Sequence, residues 1–202
     1  MIRTLLDQIR NFYQRQAPVA CSADFLISPP SEAEISQFET DLQEPLPSDY
    51  REFLLYNDLR HNFNANFECL DFHAVVDRWQ MMKGLLEQGS FDDGRVAYHR
   101  EHEFGNWDGA YLQEVWWHPQ WVPFAADSCG NMMCIDCAPG KNGVKYQLLD
   151  MEVMDGQGPF VSDYASFTDY LQSHLAYLQN GQYEVFEWGI EVDRWRPVRK
   201  SG

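Results

Sequence analysis

The sequence predicts an α+β fold, in which an antiparallel sheet, a meander of about four to six strands, has helices packed mainly on one side. Helical spacing of apolar residues dominates the first 90 residues, and short apolar runs bounded by turn residues follow in 112–151. A long helical pattern then covers 164–178. Because helices and strands are grouped rather than alternating, this order favours α+β over a parallel α/β sheet. We expect the 202 residues to form a single domain.

The chain begins with two predicted helices. The first, within residues 1–16, places its apolar residues on one face: Ile2, Leu5, Leu6, Ile9, Phe12 and Tyr13. Ser31 and Glu34 then have the spacing of a capping box, which predicts the start of a second helix. Pro45 ends that helix, because proline cannot continue it.

Two further helices are predicted before the meander. A short helix starts at Ser48 and stops near Asn57, and a strand is expected at Phe67–Phe72. The next helix, which Gly89 caps, carries apolar residues at helical spacing: Val75, Val76, Trp79, Met82, Leu85 and Leu86. Residues 90–110 are rich in charge and glycine, so we expect a long exposed loop there.

Four successive segments predict the strands of the meander: Leu112–Trp117, Trp121–Ala125, Met132–Cys137 and Val144–Met151. Between the second and third strands, Gly130 and Asn131 can adopt positive φ, which predicts a hairpin turn. A long helix with Phe167 and Leu171 on its apolar side follows. The tail, Tyr183–Trp195, alternates enough to form a strand that covers a sheet edge.

The charge balance limits the possible partners. With 15 Lys+Arg against 31 Asp+Glu, the formal net charge is −16, which repels nucleic acid and anionic membranes and favours a basic partner or a cation. The alternative is that the charge only keeps the protein in solution. No apolar run is long enough to span a bilayer. Five cysteines, an odd count, in a chain without a secretory signal favour free thiols and a cytoplasmic location.

Three segments of the sequence resemble the SUKH superfamily, which is named after the fungal Smi/Knr cell-wall regulators and is dominated by bacterial immunity proteins. Leu46–Asn57 matches L-P-x-D-Y-x-x-F-L-x-x-N, 121–136 matches W-V-P-F-A-x-D-x-x-G-N-x-x-C-I-D, and Phe167–Leu171 matches S-F-x-x-[FY]-L together with the preceding serine. One departure is Asn57-Asp58-Leu59, where members usually have Asn-Gly-Gly. Residues 1–30 and 183–202 are then an N-terminal helical extension and a C-terminal strand or tail extension.

The matching residues are interpreted as mainly structural. They are Pro47, Tyr50, Phe53, Asn57, Trp121, Pro123, Phe124, Gly130, Asn131, Asp136, Phe167 and Leu171. The aromatic residues are expected in the core, and Gly130 and Asn131 in the turn. For Asp127 and Asp136 two alternatives stay open, because either carboxylate could cap the turn or contact a partner.

Two clusters could hide metal chemistry. Cys129, Cys134 and Cys137 have the spacing of an iron–sulfur ligand run, but no fourth cysteine follows. Cys134 and Cys137 should also leave opposite faces of a strand, so buried, inert thiols are favoured. His99 and His102 could share a helix face and bind a metal, yet their surroundings favour a charged loop. We therefore expect no metal and no cofactor.

The resemblance implies a non-enzymatic protein that binds another protein. The leading hypothesis is an immunity protein that neutralises a basic toxin domain, such as a nuclease, by forming an inhibitory complex. A regulatory scaffold like the fungal members is the alternative, and a metal-dependent enzyme the third. The expected contact residues, in the exposed acidic loop and at the hairpin, are Asp92, Asp93, Glu101, Glu103, Asp108 and Asp127.

Overall fold

The computed structural model describes residues 1–22, 26–60, 62–64, 67–91, 111–152, 158–187 and 189–192. Its helices are α1 (Ile2–Gln16), α2 (Glu32–Leu42), α3 (Ser48–Tyr56), α4 (Phe72–Glu87) and α5 (Phe167–Gln179), with a 3-10 helix at Pro18–Cys21. Its strands are β1 (Asn62–Asn64), β2 (Phe67–Cys69), β3 (Trp121–Ala126), β4 (Met132–Asp136), β5 (Leu148–Glu152), β6 (Gly158–Val161), β7 (Tyr183–Phe186) and β8 (Gly189–Val192).

The strands form one sheet in the order β6-β5-β4-β3-β2-β1-β8-β7. Every neighbouring pair is antiparallel except β1 and β8, which run parallel with Asn62 opposite Glu191. The predicted α+β class with an antiparallel meander is confirmed. The sheet has eight strands in the described residues rather than four to six, because β1 and β6 were not predicted and the C-terminal strand is a hairpin.

The predicted strand Leu112–Trp117 is wrong. These residues form bends and do not pair with β3. The strand that lies next to β3, opposite β4, is β2, in which Cys69 pairs with Ala125. The bends bury the side chains of Trp116 and Trp117. The apolar run therefore reflects burial and not a strand, a distinction that periodicity alone does not make for short segments.

The fourth predicted strand begins later than expected. Residues 144–147 form a turn in which the Gln147 N–H donates to the Val144 carbonyl at 2.9 Å, and Tyr146 adopts a positive φ of 71°. Strand β5 starts only at Leu148. Strand β2 is likewise shorter than predicted, because Asp71 already caps α4 by accepting a bond from the Ala74 N–H at 2.9 Å.

The predicted starts of α2 and α3 agree with the structure, whereas α5 begins at Phe167 and not at 164. Ser31 and Glu34 form the reciprocal bonds of a capping box, in which Glu34 N–H donates to Ser31 Oγ at 3.3 Å and Ser31 N–H donates to Glu34 Oε2 at 2.8 Å. These bonds satisfy two N–H groups that a helix start otherwise leaves without partners.

Helices α3 and α5 pack on the middle of the sheet through aromatic rings. The ring centre of Phe167 in α5 lies 4.8 Å from that of Tyr50, 4.9 Å from that of Phe53 and 5.4 Å from that of Phe124 in β3, and all three pairs are edge-to-face. Helix α1 packs against both α3 and α5. Every residue of β3 and β4 is buried, so both faces of these central strands are covered.

Helix α4 is attached to the start of β3. The indole N–H of Trp79 donates to the carbonyl oxygen of Pro119 at 2.7 Å, and Phe38 of α2 packs edge-to-face on both Phe72 and Trp79. This contact also joins α2 to α4. None of the helices among the described residues has the length and apolar character needed to cross a membrane.

Candidate functional site

The β3–β4 hairpin has a turn that is closed by Asp127. Its Oδ1 accepts bonds from the backbone N–H groups of Cys129 and Asn131, both at 2.8 Å, and its Oδ2 accepts one from Asn131 Nδ2 at 2.8 Å. Gly130 lies between them with a φ of 98°, a conformation that favours glycine. Of the two alternatives for Asp127, the structure places its carboxylate in the turn.

Asp136, at the other end of the hairpin, is fully buried. Its Oδ1 accepts bonds from the Trp121 indole N–H and the Ala138 backbone N–H, each at 2.9 Å. Its Oδ2 accepts a bond from Gln147 Nε2 at 2.9 Å. Burial raises the pKa of this carboxyl above its usual value, and the three hydrogen bonds oppose that shift. A carboxylate engaged in this way holds the core together.

The loop after β4 is tied to Asp136 through Gln147. The Gln147 side chain also donates to the Tyr111 carbonyl at 2.9 Å and accepts a bond from the Val144 N–H at 3.0 Å. Gly143 lies so close that an added Cβ would meet the Tyr111 carbonyl oxygen at 2.2 Å. Sequence reasoning missed Gln147, and no local pattern marks it, because its partners come from both sides of the loop.

Asp49 is the aspartate of the L-P-x-D-Y segment, but the sequence analysis gave it no role. Its Oδ2 accepts bonds from the Thr168 N–H at 3.0 Å and from Thr168 Oγ1 at 2.7 Å, so α3 is held to the start of α5. Its place in the first turn of α3 is a signal that could have been used, since acidic residues are favoured there.

Most of the matching apolar residues lie in the core. Tyr50, Phe53, Trp121, Phe124, Phe167 and Leu171 are all buried. Asn57, also buried, accepts a bond from the Leu59 N–H at 3.3 Å and donates to the Leu59 carbonyl at 2.9 Å. The turn that lacks the usual Asn-Gly-Gly is therefore closed by the Asn57 side chain itself. Pro47 precedes α3 as its N-cap residue.

The cysteine run does not form a cluster. Cys134 and Cys137 are buried, whereas Cys129 is exposed at the hairpin tip. Within the described residues, no three His, Cys, Asp or Glu side chains are arranged to hold a metal ion. His99 and His102 fall outside those residues. So do five of the predicted contact residues, Asp92, Asp93, Glu101, Glu103 and Asp108.

Comparison with known proteins decides the family. The model of the SMI1 / KNR4 family (SUKH-1) matches residues 29–173. The chain belongs to this family. The match includes all three segments that carried the resemblance, and it leaves out α1 and the β7–β8 hairpin.

Two curated SMI1/KNR4 relatives also resemble the chain. A "KNR4/SMI1 homolog" of Yarrowia lipolytica is 23% identical over 164 residues, which cover 59% of this chain and 23% of that protein. The "cell wall biosynthesis/cell cycle regulator smi1" of Schizosaccharomyces pombe is 24% identical over 165 residues, covering 77% of this chain and 32% of that protein. The chain thus spans at most about a third of the length of these two relatives.

The N-terminal segment outside the SMI1/KNR4 match is packed onto the matched part. Tyr13 Oη in α1 lies 3.2 Å from Nε2 of His174, a buried residue of α5 one position past the end of the match. Arg3 pairs with Glu52 at 3.1 Å, and Arg10 pairs with Asp58. Helix α1 therefore extends the family core instead of standing apart from it.

Proposed function

We propose that this chain is a non-enzymatic protein-binding module that acts by forming a stoichiometric complex. One observation carries the proposal: Asp49, Asp127 and Asp136, the three aspartates that match the motifs of the family segments, accept bonds from the chain itself. General acid–base catalysis needs a group that can reach a substrate, and these three are already engaged. The acidic excess of the chain remains for a partner to recognise.

The buried thiols also support a role without nucleophilic catalysis. Burial raises the pKa values of Cys69 and Cys134 well above the usual range and that of Cys137 to about 12. Because the thiolate is the nucleophile, these three side chains stay unreactive near neutral pH. The five free cysteines fit a reducing compartment such as the cytoplasm.

The partner that best fits the charge is a basic toxin domain, such as a nuclease. An enzyme that acts on nucleic acid needs a cationic cleft, and a protein with a net charge of −16 would be steered into it and would cover it. An interface of this kind buries about 1,200–2,000 Å². The immunity role is proposed from the SUKH resemblance noted in the sequence, and the charge is compatible with it.

Co-expression with the product of a neighbouring toxin gene tests this role. We expect the chain to rescue the cells and to bind the toxin in a one-to-one complex. The association rate should fall as salt rises, because attraction between exposed charges is screened over about 8–10 Å at physiological ionic strength. A failure to rescue or to bind any co-encoded protein would contradict the proposal, as would hydrolytic activity of the isolated chain.

The acidic loop is the predicted contact region and can be tested separately. Neutralising Asp92, Asp93, Glu101, Glu103 and Asp108 should slow association and reduce protection without lowering the melting temperature. If the association rate at low salt stays the same, another surface binds the toxin.

A regulatory role is the second candidate, because one relative is named as a cell wall biosynthesis and cell cycle regulator. In that case the partner would be a signalling protein of the same cell, and no toxin gene would lie beside this one. Affinity purification from the source cells, compared with the genomic neighbourhood, distinguishes the two roles.

A further inference from the structure

Helices α2 and α4 leave an open groove between their C-terminal halves, which we call the α2–α4 groove. Its volume is about 500 Å³, and its lining includes Asp41 from α2 and Trp79, Lys83, Gly84 and Glu87 from α4. Trp79 forms a fixed part of the wall, because its indole N–H is bonded to the Pro119 carbonyl at 2.7 Å. The groove is thus built on rigid elements.

The groove has an unusual charge arrangement. The last turns of α2 and α4 contain Asp41 and Glu87 and no Lys or Arg, although the negative end of a helix dipole favours cations. In the described structure, Asp41 accepts a bond only from the Gln37 amide, and Glu87 has no ion pair. The groove therefore combines two carboxylates with the negative ends of two helix dipoles, and each of these favours a cation.

One cation of the chain already lies in the groove. Lys83 Nζ is 5.0 Å from the centre of the Trp79 ring, a distance at which an ammonium group is attracted to the face of an indole. Within the described residues Lys83 forms no ion pair with a carboxylate. It therefore leaves both Asp41 and Glu87 available to a cation from outside.

Gly84 is a glycine inside helix α4 that lines the same groove. A Cβ added there would have no atom of the described residues within 4 Å, so the packing of that part of the chain does not require a glycine. Glycine in a helix interior is less favourable than alanine. A missing side chain does, however, leave the helix backbone open to close approach by another molecule.

We propose that the α2–α4 groove is a docking surface for a basic segment of the partner protein. An arginine or lysine of that segment reaches Asp41 and Glu87, and the segment's backbone passes over Gly84. The inference rests on the protein-binding function proposed above and adds the surface and the chemistry of the ligand. Charge complementarity selects a basic segment over an acidic or apolar one.

Titration with a short alanine–arginine peptide tests the groove by nuclear magnetic resonance. We expect saturable shifts of the Gly84 amide and the Trp79 indole N–H, and none with the same peptide carrying citrulline in place of arginine. In the double variant Asp41→Asn, Glu87→Gln the affinity should fall by about fivefold or more, as the loss of two exposed charge pairs implies. Gly84→Leu should block the peptide, while the far-UV circular dichroism stays unchanged.

Asp77→Asn is the matched control, because Asp77 is an exposed acid on α4 that does not line the groove. It should change the affinity by less than about twofold. If Asp77→Asn weakens binding as much as the double variant, the peptide binds diffusely to an acidic surface and the inference is wrong. It is equally wrong if Gly84→Leu binds like the wild type.

The two proposals fail in different ways. Suppose that a co-encoded protein binds the wild type and Gly84→Leu equally well: the groove is then excluded as the docking surface, and the protein-binding function stands. If the chain neither rescues the cells nor binds a co-encoded protein, the proposed function is wrong, whatever the peptide titration shows.

Discussion

The β3–β4 hairpin and the α2–α4 groove use carboxylates in opposite ways. In the hairpin, Asp127 and Asp136 each accept three hydrogen bonds from the chain itself. In the groove, Asp41 and Glu87 lie near helix C-termini, where the dipole disfavours them, and the two together accept one hydrogen bond within the described residues, from the Gln37 side-chain amide to Asp41. The hairpin residues belong to the family-like segments, whereas the groove residues drew no attention in the sequence.

This difference separates residues that build the fold from residues that a partner can use. A saturated carboxylate loses its internal bonds if it turns to a partner, and each buried donor left behind costs about 1–3 kcal/mol. A carboxylate without internal bonds has no such loss. Residues that identify the family are therefore poor candidates for its contacts, and substitutions in the two regions should behave differently.

The largest expected effect is that of Trp121→Ala in the hairpin. Trp121 is fully buried and packs edge-to-face on Trp117 at 5.9 Å. We expect a loss of about 3–5 kcal/mol in the free energy of unfolding, because a large cavity forms. Urea denaturation measures it. Trp121→Phe keeps most of the ring and should cost clearly less, so equal losses for the two variants would contradict a cavity origin.

The second-largest loss in the free energy of unfolding is expected for Asp136→Ala. It leaves the donors of Trp121, Ala138 and Gln147 without their acceptor, which costs about 1–3 kcal/mol at neutral pH. Chemical denaturation of the two proteins in parallel gives the difference. If the variant is as stable as the wild type, the buried carboxylate is not a structural element.

The difference in stability between the wild type and Asp136→Ala should depend on pH. The folded-state pKa of Asp136 is raised above the ordinary value of 3.8 by burial, so the folded protein holds the proton more tightly than the unfolded chain. The part of the stability that comes from this tighter proton binding is fully present below the ordinary pKa and is lost as pH rises through the raised one, whereas the part that comes from the three hydrogen bonds to the carboxylate remains at neutral pH. The stability difference between wild type and Asp136→Ala should therefore shrink with rising pH, and growth of that difference would contradict the raised pKa.

Asp127→Ala should have a smaller and more local effect. Losing the acceptor of the turn should cost about 1–2 kcal/mol, as for the loss of a helix cap. Hydrogen exchange at the amides of Cys129 and Asn131 should become faster, because both donate to this carboxylate. Ser128→Ala, an exposed change in the same turn, is the control and should leave exchange and stability nearly unchanged.

The smallest effect, with the opposite sign, is that of Gly84→Ala in the groove. It should stabilise the protein by about 0.5–1 kcal/mol, because alanine is the better helix former and its Cβ meets nothing. The melting temperature should rise by about 1–4 °C.

Gly130→Ala in the hairpin is the matched comparison. Its Cβ also has open space, but the φ of 98° is strained for any other residue, so this change should destabilise the protein by about 1 kcal/mol or more. Equal signs for the two glycines would contradict the distinction between the regions.

Local patterns in the sequence predicted much of the fold. The capping box at Ser31, the apolar face of α1 and the turn at Gly130 depend on residues within a few positions of one another. The predicted strand Leu112–Trp117 was wrong, because a short apolar run indicates that its residues are buried but not whether they pair with another strand. Sequence reasoning also missed β1 and β6 and merged β7 and β8 into a single strand.

Contacts between distant parts of the chain could not be predicted. Asp49 and Thr168 are 119 positions apart, and Tyr13 meets His174 across 161 positions. The α2–α4 groove likewise lies between two helices that meet through long-range contacts, such as those of Phe38 with Phe72 and Trp79. The candidate site was predicted only in part, since the proposed role of Asp127 in the turn was visible locally and the groove was not.

By itself, then, the sequence determined the family, the class of fold and the places where helices and turns begin, because short-range hydrogen bonds and side-chain periodicity decide these features. The tertiary structure decided the order of the strands, which carboxylates are saturated and which helix ends share a groove. The physical reason is that the saturation of a polar group depends on donors brought from elsewhere in the chain, and only folding brings them.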